Sequence, residues 1–188
     1  YEAALIIGAP ARKDGKIYNA AHVIENGKII ETVLKHHLPN YGVFDEVRIF
    51  ASAPLPAPVS FRGVSLGLMV CEDMWEPDVV QNLKDKGAEL LVAINASPYE
   101  VEKRNVRLDI AKSRVKESGL PLIYVNQAGG QDELIFDGAS FVLNETGTRM
   151  LQAEEFVEDI QHTVWEKSDD SSHWLCETTN IVPLHQDE

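Results

Sequence analysis

Three short apolar runs, VSLGLMVC (residues 64–71), AELLVAINAS (88–97) and LPLIYVNQAGG (120–130), alternate with two stretches that read as helices. The first stretch, EPDVVQNLKDKG, has Pro77 where a first helical turn accepts it, acids at its start and Gly87 as a stop. The second, EVEKRNVRLDIAKSRVKESG, places Val106, Ile110 and Val115 at roughly helical spacing and ends in Gly119. Apolar runs of this length, joined by helices, are strands of a sheet buried on both faces. Elsewhere the pattern is that of hairpins. AALIIGAP reads as a short strand closed by Gly8 and Pro10, and IYNAAHVIENGKIIETVLK as two strands turning at Asn26-Gly27. ELIFDGASFVLNETG and TRMLQAEEF read as a final antiparallel pair. The expected architecture is a mixed sheet covered by helices on one face.

In such a sheet, sites collect beyond the carboxyl ends of strands. Three of these ends carry polar groups: Cys71-Glu72-Asp73, Asn95-Ala96-Ser97 and Asn126-Gln127. Cys71 poses a chemical problem, because neighbouring carboxylates raise the pKa of a thiol, which is near ~8.5 to begin with. A packing role needs no cation nearby, whereas a reactive role does. His36 and His37 are one source of help, as a base for Cys71 or with it as a metal site. Adjacent residues on an extended segment point to opposite sides, so both histidines are not expected to share one ion, and no metal site is assigned. Lys35 is the other source. Its ammonium, partly buried, would lower the Cys71 pKa and later hold an oxyanion. Ser97 has no G-x-S-x-G elbow around it, and GGQDE lacks the spacing of a phosphate loop.

A net charge of −13 argues against nucleic acid or an anionic membrane as partner. From Leu151 onward ten Asp and Glu face a single Lys, Lys167, so this part reads as an acidic exit segment, ending at VPLHQDE without a stop signal. The chain also opens abruptly, inside an apparent strand and without Met. The expectation is a fragment: a domain over residues 1–160 and an exit segment over 161–188. Two cysteines are too few for a disulfide framework, which makes a reducing cytoplasm the simpler setting.

KHHLPNYGVFDE (35–46), VCEDMWEPD (70–78), NASPYEVEKR (95–104) and VNQAGGQDELIFDGASFV (125–142) together resemble the carbon–nitrogen hydrolase (nitrilase-like) family. The likeness runs from Tyr1 to about Phe156, and the longer LPNYGVFDE and GGQDELIFDG strings resemble the glutaminase domains of its NAD+-synthetase branch. The resemblance implies an α/β fold, an α-β-β-α sandwich, lacking its N-terminal portion here. It also implies a Glu–Lys–Cys triad acting on the amide of glutamine. Cys71 would be the nucleophile, and Lys35 with the backbone N–H of Glu72 would hold the oxyanion. Tyr41, Phe44 and Trp75 would line the pocket, and Ser97 and Lys103 would hold the amino-acid end of glutamine, with Arg104 as the alternative to Lys103. The family's general-base Glu precedes the lysine; Glu2, Glu25 and Glu31 match no such motif, so the base is expected upstream of this chain. The domain itself would take no cofactor. ATP, Mg2+ and deamido-NAD+ would belong to a synthetase domain beyond it, and the assembly would be a homo-oligomer. Two other functions are compatible with the same residues: a stand-alone amidase or carbamoylase, and a non-catalytic interaction domain that keeps the fold.

Overall fold

The computed structural model describes residues 3–170, 173–178 and 180–181; the closing VPLHQDE stretch lies outside them. A three-stranded antiparallel meander comes first: β1 (Ala4–Lys13), β2 (Lys16–Glu25) and β3 (Lys28–Leu34). Asn26 and Gly27 both take positive φ (51° and 70°), as the tight β2–β3 turn requires. The first strand runs through Gly8 and Pro10 instead of ending there, with Pro10 opposite Asn19. β1 is an edge strand, and at an edge a residue with no N–H to give the ladder is tolerated.

The second sheet has seven strands. In chain order they are β4 (Val59–Phe61), β5 (Val64–Val70), β6 (Leu90–Asn95), β7 (Leu122–Asn126), β10 (Phe141–Leu143), β11 (Arg149–Gln152) and β14 (Asn180–Ile181). The strands β5, β6 and β7 are parallel neighbours, joined by α1 (Pro77–Asp85) and α2 (Lys103–Ser118), while β4, β10 and β11 pair antiparallel. GGQDE falls in a hairpin, β8 (Ala128–Gln131) with β9 (Leu134–Asp137). Within the acidic stretch, β12 (Trp165–Lys167) pairs with β13 (Trp174–Cys176), and Trp165 and Cys176 pack onto the sheet near Leu151 and Val142.

Alternation along β5 explains the layering. Leu66, Leu68 and Val70 face Ala21, Val23 and Val33 of the three-stranded sheet, while Met69 faces α1 and α2. Helix α1 packs Val79, Val80 and Leu83 against that side. Gly67 permits the approach, since a Cβ there would lie 2.8 Å from Leu91 Cδ2 and 3.3 Å from Leu83 Cδ1. The result is one helical layer on two stacked sheets, within the expected sandwich type. On α2 the inward face is offset from the one expected: Arg107, Ala111, Arg114, Val115 and Ser118 are buried, and Val106 is 46% exposed. Helical spacing identified the element but not its face, because Arg107 is drawn inside by a carboxylate. Gly119 ends α2 with φ 70°. Among the described residues, no helix is long and apolar enough to cross a membrane.

Arg107 donates to both oxygens of Asp137 at 3.0 and 3.1 Å, and both residues are almost wholly buried. Asn126 donates to the same carboxylate (3.2 Å) and accepts the Ser97 backbone N–H (2.9 Å), so the pair braces the ends of β6 and β7. Removing one partner of such a pair leaves an uncompensated buried charge. Asp137→Ala is therefore expected to destabilise the chain by about 3–5 kcal/mol in urea denaturation. A loss below about 1 kcal/mol would show that water reaches Arg107 in solution.

Candidate active site

Cys71 stands where β5 stops, and the chain turns through a short 3₁₀ segment, Cys71–Met74, into α1. Its φ of 50° puts a non-glycine residue in the left-handed region. Such backbone costs about 1–3 kcal/mol and persists only where the surroundings enforce it. Asp73, fully buried, supplies the enforcement. One carboxylate oxygen accepts the Val70 N–H (3.2 Å), and the other accepts the backbone N–H groups of His36 (3.1 Å) and His37 (2.8 Å). A single side chain thus ties the turn at Cys71 to the segment that follows Lys35. Burial pushes the Asp73 carboxyl up, opposed by those backbone donors and by Lys35.

Lys35 is completely buried and makes a 2.6 Å ion pair with Glu46 Oε1. Asn19, on β2, donates to Glu46 Oε2 (3.3 Å), and its carbonyl accepts the Lys35 N–H (2.9 Å). Glu46 was not among the residues singled out in the sequence. It closes the KHHLPNYGVFDE motif, and an acid at the end of that string was the one available signal. Asp73 stands in the polar strand end Cys71-Glu72-Asp73 picked out in the sequence, but no role was given to it there.

The Lys35 ammonium acts on the Cys71 thiol in the direction expected, but it does not prevail. Burial dominates and pushes the thiol up to about 11; Lys35 lowers it, and Glu72, Glu46 and Asp73 raise it further. At rest the sulfur is a protonated thiol, half-buried at the turn. Lys35 is better suited to an oxyanion formed during reaction than to creating a resting thiolate.

Tyr41, Phe44, Trp75 and Lys103 line one cleft of about 410 Å³, together with Glu100 and Val106. Tyr41 connects it to the elbow, donating from its hydroxyl to Glu72 at 2.8 Å. Partial burial and that carboxylate hold the phenol well above its ordinary pKa. Phe44 packs edge-on to Tyr41 with ring centres 5.7 Å apart, and the Lys103 ammonium sits 5.5 Å from the Phe44 ring centre. Lys103 pairs with Glu100 (2.7 Å), whereas Arg104 is engaged by the buried Glu155 (2.6 Å). Of these two cations, Lys103 is the one that faces the cleft. Ser97 is buried and does not line it; its backbone N–H and carbonyl are bound to Asn126.

The histidines correct another expectation. The chain leaves the sheet after Leu34, and residues 35–40 form no strand, so strand alternation does not apply to them. Their rings meet edge to face, 4.5 Å apart, and both turn toward Asp78 on α1.

A thiol on a strained strand-to-helix turn, beside a buried lysine–glutamate pair and an aromatic cleft, is an arrangement that suits an α/β hydrolase. Residues 1–164 match the carbon-nitrogen hydrolase family, and the chain belongs to it. It is similar to the glutamine-dependent NAD(+) synthetases of Rhodobacter capsulatus (44% identity over 179 residues, 95% of this chain and 32% of that protein) and Aquifex aeolicus (40% over 161 residues, 85% and 28%). Among solved structures, it is similar to glutamine-dependent NAD+ synthetase from Acinetobacter baumannii in complex with ADP, with TM-score 0.86 and 35% identity over 97% of this chain and 34% of that one. The carbon-nitrogen hydrolase from Helicobacter pylori G27 superposes with TM-score 0.77 and 28% identity, over 83% and 60%. The chain thus spans about a third of the length of the curated relatives it matches.

Proposed function

We propose that this chain is the glutamine-hydrolysing domain of a glutamine-dependent NAD+ synthetase, with residues 1–160 as the hydrolase unit. The observation that carries this reading is the strained elbow at Cys71 beside the buried Lys35–Glu46 pair. Glutamine enters the cleft of Tyr41, Phe44 and Trp75, with Lys103 on its α-carboxylate. The Cys71 thiol gives up its proton to a general base, and the sulfur attacks the amide carbon. The carbonyl oxygen takes the electron pair and is held by Lys35 and the Glu72 N–H. Collapse of that intermediate breaks the C–N bond, and the departing nitrogen takes a proton to leave as ammonia. Water then hydrolyses the thioester, releasing glutamate and the thiol. Glu46 holds the Lys35 ammonium in place. The general base is assigned to a Glu ahead of Lys35 in the longer protein. ATP, Mg2+ and deamido-NAD+ are assigned to its synthetase part, where the ammonia is consumed.

A glutamine-mimicking electrophile tests the assignment through peptide mass mapping. Cys71 is expected to be modified and Cys176, buried in the β12–β13 ribbon, to be spared. Because burial holds the Cys71 thiol near 11, only about 10⁻⁴ of it is thiolate at pH 7. The thiolate is the reactive form and increases with pH. The labelling rate of the chain by itself should thus rise about tenfold per pH unit from 7 towards 10. Equal modification of both cysteines would remove Cys71 as nucleophile. A rate flat across this range would instead mean that the thiol is already ionised at pH 7 and that Lys35 outweighs burial.

A further inference from the structure

Outside the amide site, one group of side chains has the composition and geometry of a metal centre. One ring nitrogen of His36, one of His37 and an Asp78 carboxylate oxygen all lie within 4.8 Å of one another. His37 Nε2 is 2.8 Å from Asp78 Oδ1, and His36 Nε2 is 4.0 Å from Asp78 Oδ2. Three donors around a tetrahedral Zn2+ lie about 3.3–3.5 Å apart, given metal–ligand bonds of about 2.0–2.2 Å. The two distances, each to a different oxygen of the Asp78 carboxylate, fall on either side of that value.

The arrangement of hydrogen bonds points the same way. His36 Nδ1 is hydrogen-bonded to the Ala53 carbonyl. A carbonyl can only accept, so Nδ1 is the donor there, and the ring held this way turns Nε2 toward Asp78 Oδ2. Orientation of one imidazole nitrogen by a backbone carbonyl is also what metal-bound histidines use to present the other. Asp78 Oδ1 already accepts the Val79 N–H (2.8 Å) as well as facing His37, which leaves Oδ2 for a cation.

The ligands are held in advance. The buried Asp73 carboxylate takes the backbone N–H groups of both histidines, and Ser52 donates to the His36 carbonyl at 2.6 Å. The side chains keep 26%, 27% and 47% exposure, which opens a path for the ion and leaves positions for water. Two imidazoles and one carboxylate suit zinc and its first-row neighbours rather than Mg2+ or Ca2+, which take oxygen ligands.

We propose that His36, His37 and Asp78 form a zinc site that clamps the segment following Lys35 to the first turn of α1. It is distinct from the Cys71 chemistry and does not depend on it. Its role is to brace: the ion would join the two strands of chain that carry Lys35 and Cys71, at a point Asp73 already bridges.

Titration of the chain with Co2+ alone, followed by absorption, tests the site, and Zn2+ competition gives its affinity. One equivalent should bind with a ligand-field spectrum of nitrogen and oxygen donors, unchanged in Cys71→Ser. The melting temperature should rise with free Zn2+, as linkage requires. His37→Ala and Asp78→Asn should each weaken binding by more than about tenfold, while His162→Ala should leave it unaltered. His36→Ala/His37→Ala should abolish the Zn2+-dependent melting shift, and its metal-free melting curve reports folding separately. Three results would overturn the proposal: no saturable Co2+ binding by the wild-type chain, a thiolate charge-transfer band lost in Cys71→Ser, or wild-type affinity in the double histidine variant.

Discussion

Replacing Cys71 with alanine, in a protein carrying this chain at the full length of its relatives, is expected to lower glutamine-dependent NAD+ formation by about 10⁴-fold or more. That is the scale of removing a nucleophile whose partners stay in place. Synthesis from added ammonia should continue at the original rate, because the proposed reaction at Cys71 only supplies ammonia and the amidation happens elsewhere. Side-by-side assays with glutamine and with ammonium decide it. If a folded Cys71→Ala protein lost the ammonia-dependent reaction, the division of labour would be wrong. Unchanged glutamine use would show that Cys71 does not attack the amide. The alanine also relaxes nothing at the elbow: φ of 50° is unfavourable for any residue with a Cβ, so stability should stay close to that of the parent.

Glu46→Ala should have the second-largest effect, and it should act on folding and catalysis together. The substitution removes the ion-pair partner of the Lys35 ammonium at a position with no solvent exposure. Breaking a buried pair from one side costs about 3–5 kcal/mol, a large part of the about 5–15 kcal/mol that holds a domain together. Where the protein still folds, a displaced Lys35 forfeits one oxyanion donor, for about 10²–10³-fold in turnover. Glu46→Gln keeps an acceptor for Lys35 and should lie between the two in both measurements. Urea melts paired with glutaminase rates provide the check. A Glu46→Ala protein within about 0.5 kcal/mol of the parent would mean that Lys35 finds another partner or water, and the pair would lose its place in the site.

The contrast between Glu46 and Lys35 shows where sequence legibility ends. Lys35 could be found because it ends an apolar strand and begins a distinctive string. Its partner lies eleven positions on, at the start of a three-residue 3₁₀ turn (Glu46–Arg48) in an otherwise irregular segment, where no periodicity predicts what a side chain meets. Arg104 and Lys103 pose the same difficulty. They are neighbours of like charge at the start of α2, and only the position of Glu155, far along the chain, draws Arg104 away from the cleft. The thiol's high pKa was not legible either. A lysine nearby promises activation, but the cost of burying a thiolate is set by the whole surrounding fold.

By itself the amino-acid order determined the parts of this protein that depend on near neighbours. These are the three apolar strands, the two helices with their Pro77 and Gly119 boundaries, the Asn26-Gly27 turn and the placement of Cys71 at a strand end. Backbone propensity and alternation act over a few residues, so they can be read from a few residues. Only the tertiary structure decided which face of α2 turns inward, that Pro10 sits within an edge strand, that Glu46 meets Lys35, and that His36 and His37 converge on Asp78. Each of these follows from charges and hydrogen-bonding groups far apart in the chain competing for one buried place. That competition is settled by packing, which no local stretch of sequence contains.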